Sequence, residues 1–246
     1  MWLNHKNEEF ETPSLVMTEP VMIGTRGWNH ASGGDFYPAE LPDDWRFCYY
    51  SNNLRSVLVP QETWDAVQRA DVAQWQEDSD PAFRFVMELP ATLGQPLTHA
   101  KREQALAQFL ETLEPIAPRT AGLLLRIVPD TAVLPDWFEH FLNRLADVAP
   151  LCVDLPEGPW HAPLVYAALQ RQGVGLAWHC AREAAPHPGG RLMVAYAPPA
   201  PARELRHWIE RLAQWQGQDS FAGLFFDAGA AKAAQEARLI AELMGV

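Results

Sequence analysis

The sequence is poor in the features that mark secreted and membrane proteins. Its 246 residues include only 3 cysteines, which are too few and too scattered for a disulfide framework or a cysteine-rich zinc site. No apolar run approaches the roughly 18 residues that a membrane-spanning helix needs. The segment Met1–Glu11 carries charged residues where a signal peptide would need an apolar stretch. We therefore expect a cytoplasmic protein with no membrane partner.

Basic charge is also scarce. The chain has 31 acidic and 19 basic side chains, which gives a formal net charge of −12. A protein that binds nucleic acid through a broad surface normally carries a basic excess, so no nucleic-acid partner is expected. No Gly-x-Gly-x-x-Gly follows the first apolar run, which argues against a doubly wound sheet of the dinucleotide-binding kind. No cofactor is expected. A small polar ligand is the partner that remains, and the sequence does not fix an oligomeric state.

Short apolar runs alternate with amphipathic helical patterns along most of the chain. Each run is four to six residues long and almost continuously apolar, as parallel strands covered on both faces are. Eight such units predict an α/β fold, a (β/α)8 TIM barrel, with a doubly wound open sheet as the competing architecture. The predicted strands are Val21–Thr25, Ser56–Val59, Arg84–Leu89, Gly122–Ile127, Leu151–Leu155, Gly175–Cys180, Leu192–Tyr196 and Gly223–Asp227.

The chain length fits one such domain, because a single barrel commonly uses about 200–250 residues. We expect residues 1–20 to form an N-terminal arm and residues 21–246 to form the barrel. One unit is irregular: the stretch Ala181–Gly190 is too short and too rich in proline and glycine for a full helix. The sixth helix of the barrel should therefore be irregular or missing.

Polar residues stand at the ends of five predicted strands, at positions that face the barrel interior. In strands covered by helices, the large apolar side chains face outward and the alternate residues face inward. Catalytic groups of such barrels come from the carboxyl ends of the strands. The inward polar residues at those ends are Glu88, Arg126, Asp154, His179 and Asp227.

Two interpretations compete for this pattern. In the first, Asp154 holds the tautomer of His179, which acts as a general base, while Arg126 binds an anionic group and Glu88 is a second acid/base residue. In the second, the alternating charges form a neutral ion-pair plug that closes the barrel top. An open cavity beside Glu88 and His179 would favour the first, and a filled mouth would favour the second.

Other candidates depend on weaker signals. His99 begins a helix directly after the third strand and could line the mouth, although a surface histidine at a helix start is the plainer interpretation. No His-x-His or His-Glu-x-x-His spacing supports a metal site, so no metal ligand is predicted. Cys180 adjoins His179, but neighbours on a strand point to opposite faces, which argues against a Cys–His nucleophile pair.

The opening of the first unit resembles a known family. Residues 23–28 read Ile-Gly-Thr-Arg-Gly-Trp, and Phe36-Tyr37-Pro38 follows. This resembles the start of the YecE-like proteins, a family also called domain of unknown function seventy-two. The similarity continues from about Val21 to the end of the chain through Phe83–Met87 and Leu97-Thr98-His99. The resemblance implies a TIM barrel from a bacterial cytoplasm and no established activity.

The chain departs from this family at the barrel mouth. The resemblance implies a lysine where this chain has Glu88 and a glutamine where it has Arg126. A Glu-x-Arg-His-x-Ser-Trp signature becomes residues 154–160, Asp-Leu-Pro-Glu-Gly-Pro-Trp. The first two exchanges resemble a swapped ion pair on adjacent strands. Such rewriting fits either a changed substrate or a lost activity.

Three functional hypotheses follow. The first is acid/base hydrolysis or isomerisation of a small polar or anionic molecule at the barrel mouth. The alternatives are a catalytically degenerate barrel that binds a metabolite or partner, and a metal-dependent phosphoester hydrolase. In the first hypothesis the catalytic residues are Glu88, Asp154 and His179, and the substrate-binding residues are Arg126, Trp28 as an apolar wall, His99 at the rim, and Asp227.

Overall fold

The computed structural model describes residues 20–29, 36–129, 131–217 and 219–246. The predicted arm, residues 1–20, lies outside this part of the chain except for Pro20. Nine parallel strands form one sheet. Their bounds are β1 Met22–Arg26, β2 Ser56–Val59, β3 Arg84–Glu88, β4 Thr120–Arg126, β5 Leu151–Asp154, β6 Gly175–Leu176, β7 Trp178–His179, β8 Leu192–Ala197 and β9 Phe221–Asp227.

The sheet closes into a barrel through an interruption of the predicted sixth strand. The hydrogen-bonded order is β6-β5-β4-β3-β2-β1-β9-β8-β7, so β6 and β7 stand at the two ends of the sheet. They are separated in the chain by Ala177 alone, and the Ala177 N–H still donates to the Val153 carbonyl at 2.9 Å. Together, β6 and β7 occupy one strand position of eight. The TIM barrel predicted from the sequence is confirmed, and the open sheet is not formed.

Seven α-helices cover the outside of the strands in the described part of the chain. Residues 180–191, which connect β7 to β8, contain no helix, so the prediction of a missing sixth helix is confirmed. No described helix is long and apolar enough to span a membrane. The helices are α1 Arg46–Asn53, α2 Arg69–Glu77, α3 His99–Leu113, α4 Phe138–Ala146, α5 Pro163–Arg171, α6 Ala202–Trp215 and α7 Ala231–Met244.

The alternation of side chains along the strands builds two apolar layers. One lies between strands and helices and holds the larger residues, such as Phe85, Leu123 and Trp178. The other fills the barrel interior. The interior positions predicted for the third to sixth and the eighth units are occupied as expected, by Val86, Leu124, Cys152, Ala177 and Phe225.

Close backbone packing beside the closure requires a glycine. A Cβ atom added to Gly175 at the start of β6 would lie 1.9 Å from the Leu192 carbonyl oxygen, which belongs to the backbone of β8. Any side chain at this position would force the strands apart. This close approach lies at the starts of β6 and β8, at the end of the barrel opposite the mouth.

Candidate functional site

The strand register brings the predicted polar residues to one end of the barrel. Arg126 at the end of β4 is aligned with Asp154 at the end of β5. Glu88 at the end of β3 is aligned with Leu124, two residues before Arg126. Because the carboxyl ends of parallel strands lie at the same edge, these side chains meet at the barrel mouth.

They belong to a continuous series of ion pairs and hydrogen bonds, which we call the charge arc. It contains three guanidinium groups, four carboxylates and one imidazole, and its charges alternate in sign except where the imidazole intervenes. In order, the members are Glu62, Arg26, Glu88, Arg126, Asp154, His179, Arg182 and Glu157.

Glu88 is the most deeply buried member of the arc, at the end of β3. Its side chain is 0% exposed. The Arg26 guanidinium donates to both carboxylate oxygens, at 2.6 and 2.8 Å, and the Gln61 backbone N–H donates to Oε2 at 3.0 Å. The charge of Glu88 is therefore compensated without solvent, as a buried carboxylate requires.

Arg126 links the buried Glu88 to Asp154, the next carboxylate of the arc. Its Nη1 lies 3.9 Å from Glu88 Oε2, and its Nε donates to Asp154 Oδ2 at 3.2 Å. Burial opposes the charged form of Arg126, but Tyr196, Glu88 and Asp154 outweigh it, so the pKa of this guanidinium lies above its ordinary value. With 36% of its side chain exposed, Arg126 can still reach a ligand.

His179 at the end of β7 forms a hydrogen bond with Asp154 of β5. Its Nε2 lies 3.0 Å from Asp154 Oδ1, and its Nδ1 lies 3.0 Å from Arg182 Nη2. A guanidinium can only donate, so Nδ1 accepts, and in the neutral ring Nε2 carries the proton that it donates to Asp154. Tyr196, aligned with His179 on β8, stacks on the imidazole with ring centroids 5.1 Å apart. Asp154, Arg182 and Tyr196 thus fix the ring in both position and tautomer.

A cavity of about 550 Å³ opens beside this end of the arc. Arg126, Asp154 and His179 line it, together with Glu157 and Arg182 from the loops that follow β5 and β7. Its volume is in the range of small-molecule sites. The mouth is open beside His179, whereas Glu88 does not line this cavity. Whether the lining residues bind or catalyse stays a prediction.

Three of the predicted substrate-binding residues lie elsewhere. Trp28 packs against Phe47 and Trp75 and lines a separate cavity of about 500 Å³. His99 is exposed at the start of α3, where its ring lies 5.8 Å from that of His140 on α4. Asp227 is exposed at the end of β9, in register with Arg26. None of the three lines the cavity beside His179.

The pattern of alternation did not identify three residues that complete the site. Arg26 is the last residue of β1 and neutralises Glu88. Arg182 follows β7 and contacts His179, and Tyr196 lies under the imidazole. Arg26 and Tyr196 could have been found in the sequence, because both are polar residues near predicted strand ends. Arg182 lies in an irregular segment, where no helical or strand periodicity indicates which way a side chain faces.

The described residues do not favour a metal site or a cysteine nucleophile. In the parts of the chain that the structure describes, no group of three or more His, Cys, Asp or Glu side chains is placed to hold a metal ion. The pair formed by Asp154 and His179 is flanked by two guanidinium groups, which would repel a cation. Cys180 packs in the outer apolar layer, and burial raises its thiol pKa to about 12, so it is no thiolate nucleophile.

Comparison with solved structures supports the fold. A DUF72 family protein from Enterococcus faecalis V583 has 13% identity and a TM-score of 0.68, with 94% of this chain and 100% of that chain covered. A DUF72 family protein from Thermotoga maritima MSB8 has 16% identity and a TM-score of 0.67, with 93% and 100% covered. D-psicose 3-epimerase from Clostridium cellulolyticum H10 has 10% identity and a TM-score of 0.51, with 91% and 98% covered.

At these identities the structural likenesses show a shared barrel and nothing about activity. No curated protein matches the chain. The family model described as "Protein of unknown function DUF72" matches residues 22–246, which confirms the YecE-like resemblance. The chain is therefore a member of the DUF72 family, with a TIM-barrel fold and no activity established for the family.

Proposed function

We propose that the protein binds a small anionic or polar molecule in the cavity beside His179 and transfers a proton on it by acid/base catalysis. One observation carries the proposal: the imidazole of His179 is held by Asp154 at 3.0 Å and lines an open cavity of about 550 Å³. A carboxylate that orients an imidazole beside a ligand-sized cavity is a common arrangement for a general base.

The proposed roles follow from the contacts. His179 accepts the proton, and Asp154 keeps its tautomer and stabilises the imidazolium that forms. Arg126 binds the negative charge of the substrate or of the transition state. Glu88, which the sequence suggested as a second acid/base residue, fits better as a positioning residue, since its oxygens are engaged by Arg26 and it does not line the cavity.

Isomerisation fits this set of residues better than hydrolysis. Removing a proton from a carbon next to a carbonyl or carboxylate requires one base and a cationic group near the developing oxyanion. His179 with Arg126 and Arg182 meets that requirement. The metal-dependent phosphoester hydrolase receives no support from the described residues, because Asp154 and His179 have no third ligand beside them.

A cytoplasmic location belongs to the same proposal. Cys48, Cys152 and Cys180 are all free, and none of them forms a disulfide. Free thiols are usual in a reducing compartment.

Ligand binding without turnover is a second candidate, and a specific observation favours it. Both imidazole nitrogens of His179 are engaged, Nε2 by Asp154 and Nδ1 by Arg182. A ring held in this way has no lone pair free for a substrate proton. A degenerate barrel that binds a metabolite would need no such lone pair.

A thermal-shift screen against carboxylates, sugar phosphates and nucleotides tests the proposal. We expect a stabilising compound whose affinity falls about tenfold or more in Arg126→Ala, because a charge-assisted hydrogen bond is lost. Arg206→Ala, an exposed arginine on α6, is the matched control and should bind normally. Equal binding by the wild type and Arg126→Ala would rule out the proposed binding site.

A further inference from the structure

Arg182 occupies a bridging position in the cavity wall. It lies three residues beyond His179, and its two terminal nitrogens point to different partners. Nη2 donates to His179 Nδ1 at 3.0 Å, and Nη1 forms an ion pair with Glu157. Both Arg182 and Glu157 line the cavity, with side-chain exposures of 55% and 81%. The bridge is therefore accessible to a ligand from the solvent side.

This bridge blocks the proposed base. The guanidinium remains a donor at any working pH, so its bond to Nδ1 occupies the lone pair that a base would use. The other nitrogen, Nε2, is engaged with Asp154. For His179 to accept a proton from a substrate, Arg182 must leave Nδ1.

We propose that Arg182 is a specificity-determining residue that selects substrates carrying a carboxylate or phosphate group. The oxyanion of the substrate takes the place of the Glu157 carboxylate on Arg182 and draws the guanidinium away from His179. This inference rests on the proposed function, because it explains how the blocked base becomes available. A neutral ligand leaves Nδ1 covered and is not turned over.

The energetic balance favours such an exchange. The pair between Arg182 and Glu157 is solvent-exposed, and exposed ion pairs contribute little to stability. An oxyanion in the cavity can bind a guanidinium in two-point fashion and is partly shielded from water there. Arg126 also lines this cavity and adds a second positive charge. We therefore expect the ion pair between the ligand and Arg182 to be stronger than the ion pair between Glu157 and Arg182 that it replaces.

Nuclear magnetic resonance of ¹⁵N-histidine-labelled protein, titrated separately with inorganic phosphate and acetate, tests the inference. We expect the Nδ1 resonance of His179, assigned with His179→Gln, to move as the anion saturates. Arg182→Gln should weaken anion binding about tenfold, and Glu157→Gln should tighten it about threefold because the competing carboxylate is gone. Arg206→Gln is the control and should behave as the wild type does. Comparing phosphate with acetate shows which oxyanion the site prefers.

The inference is overturned if no anion binds, if the Nδ1 resonance stays in place while an anion binds, or if Glu157→Gln fails to tighten binding. Circular dichroism confirms that each variant is folded. Failure of the proposed function gives a different result, namely anion binding that depends on Arg182 with no turnover of any ligand. Turnover that Arg182→Gln leaves unchanged would remove this inference alone.

Discussion

The two ends of the charge arc use the same chemistry in different surroundings. At the β1–β3 end, Glu88 is 0% exposed and both of its oxygens are held by Arg26. At the β5–β7 end, Asp154 and His179 line an open cavity, with 24% of the His179 side chain exposed. We call these the closed end and the open end. Arg126 contacts both.

The comparison separates two interpretations that the sequence left competing. The self-neutralising plug fits the closed end, where the buried carboxylate of Glu88 is compensated by Arg26. The acid/base site fits the open end, where charged groups face a cavity. Alternating charge by itself does not distinguish the two. The exposure of the side chains does, at 0% for Glu88 and 24% for His179.

The largest expected effect on stability comes from removing the buried ion pair at the closed end. Glu88→Gln removes the carboxylate that compensates Arg26 inside the protein. We expect the free energy of unfolding to fall by about 3 kcal/mol, because Arg26 loses its buried partner and keeps only the exposed carboxylate of Glu62. Urea unfolding measures the change.

Glu157→Gln at the open end is the matched control for that substitution. Its ion pair with Arg182 is exposed, so we expect a change of no more than about 1 kcal/mol. If Glu88→Gln were as stable as Glu157→Gln, the distinction between the closed end and the open end would be contradicted.

A smaller effect is expected at Tyr196, between the two ends. Its hydroxyl is buried and has no hydrogen-bond partner among the described residues. Burial, followed by the charges of Glu88 and Asp154, holds the pKa of this phenol well above its ordinary value. Tyr196→Phe should therefore raise the free energy of unfolding by about 1 kcal/mol, since it removes an uncompensated polar group.

Tyr50→Phe is the control for Tyr196, because the Tyr50 hydroxyl is fully satisfied. It donates to the Ser56 carbonyl at 2.9 Å and accepts from the Thr25 backbone N–H at 2.8 Å. We expect this variant to lose about 1–2 kcal/mol of stability. Thermal unfolding of the two variants side by side gives the comparison, and a loss in both would contradict the account of Tyr196.

The fold could be predicted from the sequence because its signals are local and periodic. Alternation placed Val86, Leu124 and Cys152 in the barrel interior, where they lie. The composition of residues 181–190 predicted the missing helix. Both inferences use residues that are close in sequence, which is where such patterns carry information.

The site was predictable only in part. Strand ends indicated that Glu88, Arg126, Asp154 and His179 converge, and their side chains are linked in the charge arc. Burial of Glu88 depends on loops and on Arg26, which lies 62 residues away in the chain, and no local pattern reports such a contact. Periodicity also did not indicate that Trp28, two residues after β1, lines a different cavity.

Exchange of a carbon-bound hydrogen for deuterium tests the central claim most directly. A carboxylate or phosphate ligand found in the screen is incubated with the protein in D₂O and followed by ¹H nuclear magnetic resonance. The account predicts that the wild type exchanges a hydrogen next to the carbonyl or carboxylate, while His179→Gln binds the ligand and exchanges nothing. Exchange at the same rate in His179→Gln, or saturated wild type without exchange, would contradict it.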